Sequence, residues 1–209
     1  RPTTSQGSHD FHVPLGIMPP MVSIFTIAAY WSWLLLCLVW LPGSFKSKKT
    51  ARVPEMALQV PTSIVLALGF ILIFNPDVFG LSSQLTPQTP LYGWIGLLLD
   101  FAGIGFAIWA RLALRDNWSG LVMTVKEGHE LVRNGPYAWV RHPIYLGLIV
   151  ASVGTALTIG SVWSYLAIAL IVVSLLVRII TEDRMMREHF REAHDDYAAK
   201  THRLFPYVW

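Results

Sequence analysis

The chain has a single cysteine, Cys37, so no disulfide can close within it, and that residue reads as a small buried hydrophobe. Charge is scarce as well: Asp, Glu, Lys and Arg make up 14% of 209 residues, where a soluble domain usually carries about a quarter. GxGxxG is absent and no βαβ pattern occurs, which excludes a nucleotide fold of that kind. GxSxG is also missing, so there is no sign of an activated serine on a strand-to-helix turn. No HExxH spacing occurs and no cysteine lies near the paired histidines, so no metal is expected. A polar N-terminus followed by a long apolar run does not match a cleavable signal.

Long uncharged stretches take the place of charge. Residues 21–41 and 56–76 are each 21 residues without a charge, and 91–110 is interrupted only by Asp100. Each fits the roughly 20 residues needed to cross a hydrocarbon core of about 30 Å. Residues 143–177 run for 35 residues with no charge, about 52 Å as one helix. Gly154 and Gly160 offer breaks, so this run is read as two short spans in a tight hairpin. The expected fold is an all-α integral membrane protein with five transmembrane helices.

The basic residues set an orientation. Lys46, Lys48, Lys49 and Arg52 join the first two spans; five more lie in 111–141 and six from Arg178 onward. With the N-terminus outside and the C-terminus cytoplasmic, fifteen of the sixteen fall on the cytoplasmic side, as the positive-inside rule requires. A basic cluster this close to two spans is no nucleic-acid patch. The expected location is the inner or plasma membrane. His9, Asp10 and His12 read as a mobile tail. Pro19-Pro20 opens the first span, Trp40 suits an interfacial anchor, and Pro61 suggests a kink in the second. Asp100 in mid-span is either functional or a helix-packing hydrogen bond. Gly93, Gly96, Gly103 and Gly105 favour close helix approach. Met185, Met186, Phe190, Ala193 and Tyr197 recur at three- and four-residue steps, predicting an amphipathic helix over 182–200 after the fifth span. Most charges on its other face read as solvated pairs, and 203–206 with Trp209 as a segment folded back onto the membrane face.

The stretch KEGHELVRNGPYAWVRHPIYLG, residues 126–147, is the polar exception between apolar segments. His129, Tyr137, His142 and Tyr145 present hydrogen-bonding rings, and Gly135-Pro136 and Pro143 redirect the backbone. Pro143 also biases His142 away from the α region. Arg178 and Glu182, four apart at the end of the last apolar run, share one helix face and could bind an anion or form an interfacial salt bridge. By themselves these residues describe a membrane enzyme with a cytoplasmic polar pocket. The inventory suits an adenosyl cofactor, since methyl transfer from a sulfonium needs mainly orientation of a nucleophile.

HELV at 129–132, GPY at 135–137, RHPIY at 141–145 with Gly147, and RxxxED at 178–183 resemble the isoprenylcysteine carboxyl methyltransferase family. RDNWSG at 115–120, Tyr197 and RLFP at 203–206 resemble its bacterial members. The resemblance covers about residues 90–209 and divides the chain into an N-terminal tail with two spans, 1–90, and a methyltransferase core, 91–209, whose cofactor loop is 111–145. It implies S-adenosylmethionine contacts from His129, Glu130, Leu131, Val132, Tyr137, His142, Pro143, Ile144 and Tyr145, with S-adenosylhomocysteine as product. Arg178 would hold a substrate carboxylate and Glu182 would fix Arg178 or a cofactor amine; Asp183 stands where many members have a second Glu. The implied acceptor is lipophilic or prenylated and enters laterally between spans three, four and five of a monomer embedded in membrane lipid.

RHPxY is shared with phospholipid N-methyltransferases and with NADPH-dependent sterol reductases. The reductases typically show Asn after RHP and an acid after the glycine, where this chain has Ile144 and Leu148. A phospholipid-type N-methyltransferase, a sterol or isoprenoid reductase and a non-catalytic binding protein remain the other readings of these residues.

Overall fold

An apolar environment offers the backbone no partners, so an uncharged segment satisfies its peptide groups internally and becomes a helix. The computed structural model describes residues 23–45, 50–52, 56–75, 83–118, 125–126 and 128–205. The expectations placed on His9, Asp10, His12, Pro19 and Pro20, on Lys46, Lys48 and Lys49, and on Pro206 and Trp209 lie outside them. Five apolar helices follow the five apolar segments: α1 (Ile24–Phe45), α2 (Met56–Phe74), α3 (Pro90–Leu114), α4 (Pro143–Ile159) and α5 (Val162–Phe190). α1, α3 and α5 are long and apolar enough to cross a membrane, and α2 and α4 are shorter apolar helices. A two-stranded antiparallel ribbon, β1 (Thr50–Arg52) with β2 (Val125–Lys126), was not foreseen. Both strands lie in polar connections, where no apolar periodicity marks them.

Pro90 and Pro143 stand at the first positions of α3 and α4, where a missing N–H costs nothing. α2 runs on through Pro61. Gly160 ends α4 in the left-handed region at φ 74°, and Ser161 caps α5 by accepting from the Trp163 N–H. Leu85 N–H donates to the Gly160 carbonyl at 2.7 Å and Val162 N–H to that of Ser83 at 3.0 Å, which pins this two-residue joint to the connection before α3.

α3 and α4 run antiparallel with their backbones in contact. A Cβ at Gly103 would sit 2.4 Å from the Ala151 nitrogen, and one at Gly154 would sit 2.4 Å from both the Asp100 nitrogen and the Gly96 carbonyl oxygen. Only small residues permit that approach. It brings Thr155 to Asp100, which is fully buried. Thr155 Oγ1 donates to Asp100 Oδ1 at 2.8 Å and accepts from Trp33 Nε1 at 2.8 Å, while Ser32 Oγ donates to Asp100 Oδ2. Asp100 therefore ties three helices together in a hydrogen-bonded network, and it lies apart from the cavity described below.

α2 and α5 form a second antiparallel pair. A Cβ at Gly69 would meet Ile171 Cγ1 at 2.7 Å, Ser174 Oγ donates to the Thr62 carbonyl at 2.6 Å, and Arg178 Nη2 donates to Ser63 Oγ at 2.6 Å. α5 has 29 residues, about 43 Å, well beyond a hydrocarbon core of about 30 Å. Its uncharged part ends at Val177, and the charged turns from Arg178 to Phe190 project beyond it. The amphipathic segment expected as a separate helix over 182–200 is thus the end of α5 followed by α6 (Glu192–Ala198). No proline or glycine separates Arg178 from Phe190, so nothing stops the helix earlier. Arg191, at φ 49°, makes the break.

Gly154→Ala should lower the melting temperature of purified protein, because its Cβ meets backbone that cannot yield; overpacking of this kind costs about 1–3 kcal/mol. Gly105→Ala, which meets nothing within 4 Å, should leave it unchanged or raise it. Equal melting temperatures for the two variants would refute the backbone contact.

Candidate active site

The polar site forms where the start of α4 meets the charged turns of α5. Pro143 keeps His142 out of the helical region, at φ −123° and ψ 56°, so the histidine caps α4 instead of joining it. Gly135 turns the chain at φ 59° into a short 3-10 turn, Gly135–Ala138, that buries Tyr137. Tyr197 Oη, from α6, donates to the Tyr137 carbonyl at 2.7 Å. Earlier in the same connection, Glu130 N–H donates to Asn117 Oδ1 at 3.2 Å. Arg111, on the last turn of α3, stacks over Trp118 at 4.1 Å.

Asp183 is the hub of the charges. Its Oδ1 lies 2.8 Å from His142 Nε2, and its Oδ2 accepts from Arg203 Nε at 2.9 Å and faces Arg141 Nη2 at 3.6 Å. His142 Nδ1 is 3.6 Å from Glu182 Oε2, the same oxygen that accepts from Tyr145 Oη at 3.0 Å. The His142 and Tyr145 rings stack within 5° of parallel at 5.7 Å. Burial alone would lower the His142 pKa, but the hydrogen bond to Asp183 and the nearness of Glu182 outweigh it and raise the value to about 9. Burial would likewise raise Asp183; His142, Arg141 and Arg203 outweigh it and hold that carboxylate well below its ordinary range. His142 is thus a cation between two carboxylates at neutral pH. Burial, with Glu182 adding to it, pushes the Tyr137 hydroxyl well above its ordinary value.

The tail folds back onto this cluster. Arg141 and His142 N–H donate to the carbonyls of His202 and Arg203 at 2.8 and 3.1 Å, and Arg141 Nη1 donates to the carbonyls of Ala198 and Thr201. Leu204 is buried against the core.

A cavity of about 130 Å³ opens beside the cluster. Of the residues singled out in the sequence, His129, Glu130, Leu131, Val132, Tyr137, His142, Ile144, Tyr145, Arg178 and Glu182 all line it. Pro143 does not; it is buried at the first turn of α4, where its part is to set the His142 backbone. Sequence reasoning assigned no cofactor or substrate contact to Trp40, Leu66, Leu114, Asn117, Trp118, Leu148, Leu175 or His194, which line it as well. Trp40, expected as an interfacial anchor, packs 5.6 Å from the Trp118 ring. The lining has two chemical ends. Leu66, Leu148 and Leu175 come from three apolar helices, whereas His129, Glu130, His142, Glu182 and Asp183 form the polar end. Arg178, 4% exposed, lies on α5 one turn after Leu175 and one turn before Glu182. Among the described residues no group of three or more His, Cys, Asp or Glu could hold a metal ion.

Comparison with known proteins places this arrangement. The family described as phospholipid methyltransferase matches residues 91–193. A probable protein-S-isoprenylcysteine O-methyltransferase of Oryza sativa subsp. japonica is 30% identical over 162 residues, covering 75% of this chain and 83% of the relative. The protein-S-isoprenylcysteine O-methyltransferase of Schizosaccharomyces pombe is 32% identical over 81 residues, 38% of this chain and 34% of the relative. A nickel-cobalt-cadmium resistance protein of Alcaligenes xylosoxydans xylosoxydans is 32% identical over 117 residues, 54% of this chain, and the chain spans about half of that relative's length. With a match of that length to the rice protein, the chain belongs to the isoprenylcysteine O-methyltransferase family of membrane methyltransferases.

Proposed function

We propose that the protein transfers a methyl group from S-adenosylmethionine to the carboxylate of a lipophilic, isoprenylcysteine-like acceptor. The observation that carries this reading is Arg178: a buried guanidinium at the boundary between an apolar and a polar wall of one cavity. A cation there suits an anionic head whose tail stays in apolar surroundings. The basic residues support five crossings with the C-terminus cytoplasmic, so that the polar end of the cavity faces the cytosol.

The lining fits the methyl donor by its chemistry. Trp118, Tyr137 and Tyr145 offer ring faces, Glu130 and Glu182 offer carboxylates to hydroxyl and ammonium groups, and Leu131 and Val132 offer backbone groups. A volume of about 130 Å³ is that of a ring-sized group, as in an engineered cavity that binds benzene. Contacts with a whole nucleoside therefore extend past it. When bound, S-adenosylmethionine supplies an electrophilic methyl on a sulfonium and leaves as S-adenosylhomocysteine.

The residues of the chain supply position. Arg178 holds the acceptor carboxylate, and Tyr145, bonded to Glu182 and stacked on His142, forms the wall beside it. Leu66, Leu148 and Leu175 keep water from the apolar end, where attack by a carboxylate on a cationic centre is favoured by low polarity. A carboxylate acceptor carries no proton, so no base is consumed. An amine acceptor, as in phospholipid methylation, must lose one, and here Glu182 and Asp183 are engaged by Tyr145, His142 and Arg203. Arg178 would also repel an ammonium.

Protein in lipid nanodiscs should methylate S-farnesylcysteine derivatives and leave phosphatidylethanolamine unmodified. Arg178→Ala should lose roughly 30-fold or more of that activity, as expected for a buried charged partner worth about 2–5 kcal/mol, while keeping its affinity for S-adenosylhomocysteine. Methylation of phosphatidylethanolamine alone would overturn the carboxylate reading.

Stability should follow the charge cluster. His142 is raised to about 9, so its contribution is full below an unfolded value of about 6.5 and lost as pH rises through 9. Asp183 is depressed, so its contribution is full above about 3.9 and lost on further acidification. Thermal unfolding across pH 4–10 should therefore show a melting temperature that falls between pH 7 and 9.5. His142→Gln should flatten that alkaline limb, and an unchanged limb in this variant would exclude His142 as its source.

A further inference from the structure

α2 lies outside the segment that the methyltransferase family profile covers, residues 91–193, yet it touches the most buried cation of the cavity. Ser63 Oγ accepts from Arg178 Nη2 at 2.6 Å and donates its own proton to the Gln59 carbonyl at 2.7 Å, one turn earlier in α2. A hydroxyl has one proton and two lone pairs. With the proton committed to its own helix, a lone pair of Ser63 is left facing Arg178 in one direction. The helix pair beneath is locked in register, by Ser174 on the Thr62 carbonyl and by the Gly69–Ile171 contact. Three residues after Ser63, Leu66 turns into the same cavity and forms part of its apolar end.

We infer that Ser63 is a positioning residue: it aims the Arg178 guanidinium, so that α2, outside the family-matched core, sets which anionic head the cavity accepts. A guanidinium presents its donors in a rigid plane, and two of them must meet both oxygens of a carboxylate for a bidentate grip. Holding one Nη by Ser63 restrains the plane of the whole group, and Tyr145 faces the same guanidinium. Without that anchor, the charge remains and its direction is less well held. The apolar wall at Leu66 lies on the same helix face, so head and tail of the acceptor are read by adjacent turns of α2.

This inference rests on the carboxylate reading of Arg178, and a binding measurement separates the two. The probes are S-farnesylthioacetic acid and its methyl ester, titrated into nanodisc-embedded protein, with S-adenosylhomocysteine as a control ligand. Wild-type protein should bind the acid more tightly than the ester. Ser63→Ala should lose about 10-fold in affinity for the acid, the worth of one hydrogen bond to a charged group. It should keep its affinity for the ester and for S-adenosylhomocysteine. Ser63→Thr, which retains the hydroxyl, should restore the acid. In turnover, Ser63→Ala should raise the acceptor KM and leave the KM of the methyl donor unchanged. Should Ser63→Ala discriminate acid from ester as well as wild type does, Ser63 does not aim Arg178. If wild-type protein itself fails to discriminate, the carboxylate reading falls, and the positioning role falls with it. Equal loss for acid, ester and S-adenosylhomocysteine would mean that the substitution only loosens the helix pair, and that too overturns the inference.

Discussion

Backbone-to-backbone contact between α3 and α4 is the constraint on which the rest of the protein depends. Gly96, Gly103, Gly147 and Gly154 let the two helices approach until a single added carbon would collide with peptide atoms. At that distance Thr155 reaches Asp100, and through Ser32 and Trp33 the pair holds α1 as well. An acid in an apolar setting is costly unless it is hydrogen-bonded. Here it is satisfied by groups from two other helices, so it specifies how the three come together. The same contact places the start of α4, and with it His142 and Tyr145, over the projecting turns of α5.

Asp183 does at the polar end what Asp100 does among the apolar helices. It gathers His142 from the α4 cap, Arg141 from the preceding loop and Arg203 from the tail onto one carboxylate. Ion pairs exposed to water, such as Arg187 with Asp195, contribute little. The pairs around Asp183 are largely buried and share their hydrogen bonds, and breaking such a pair leaves an uncompensated charge. The cluster thereby couples the tail to the wall of the cavity. On the proposed reading, a cavity with its polar end under this cover and its apolar end among helices would present a soluble cofactor and a greasy acceptor to one another.

Much of this was legible in the chain because it follows from composition. Twenty uncharged residues have few alternatives to a helix, and the motifs around His129, Tyr137 and His142 supply part of the cavity's polar lining, which Asn117, Arg178, Glu182, Asp183, His194 and Tyr197 reach from other elements. Pro143 shows the limit of reading a motif as contacts: it belongs to the motif, yet its effect is on the His142 backbone. The extent of α5 was misjudged because the change from apolar to charged residues at Arg178 marks where surroundings change, not where a helix stops. The break falls at Arg191, at φ 49°, a residue with no turn propensity to announce it. Strand pairing between Thr50–Arg52 and Val125–Lys126 joins residues more than seventy positions apart, and no local pattern encodes that.

By itself the sequence determined the apolar helices and the polar segment that carries the family's motifs. These depend on periodicity, charge and local backbone preference, which act between near neighbours. Tertiary structure alone decided the partners: Ser32 and Thr155 for Asp100, Arg203 for Asp183, Ser63 for Arg178, and Leu66, Leu148 and Leu175 for the apolar wall. A hydrogen bond or a packed contact requires two groups within a few ångströms, and only the antiparallel packing of distant helices sets those distances.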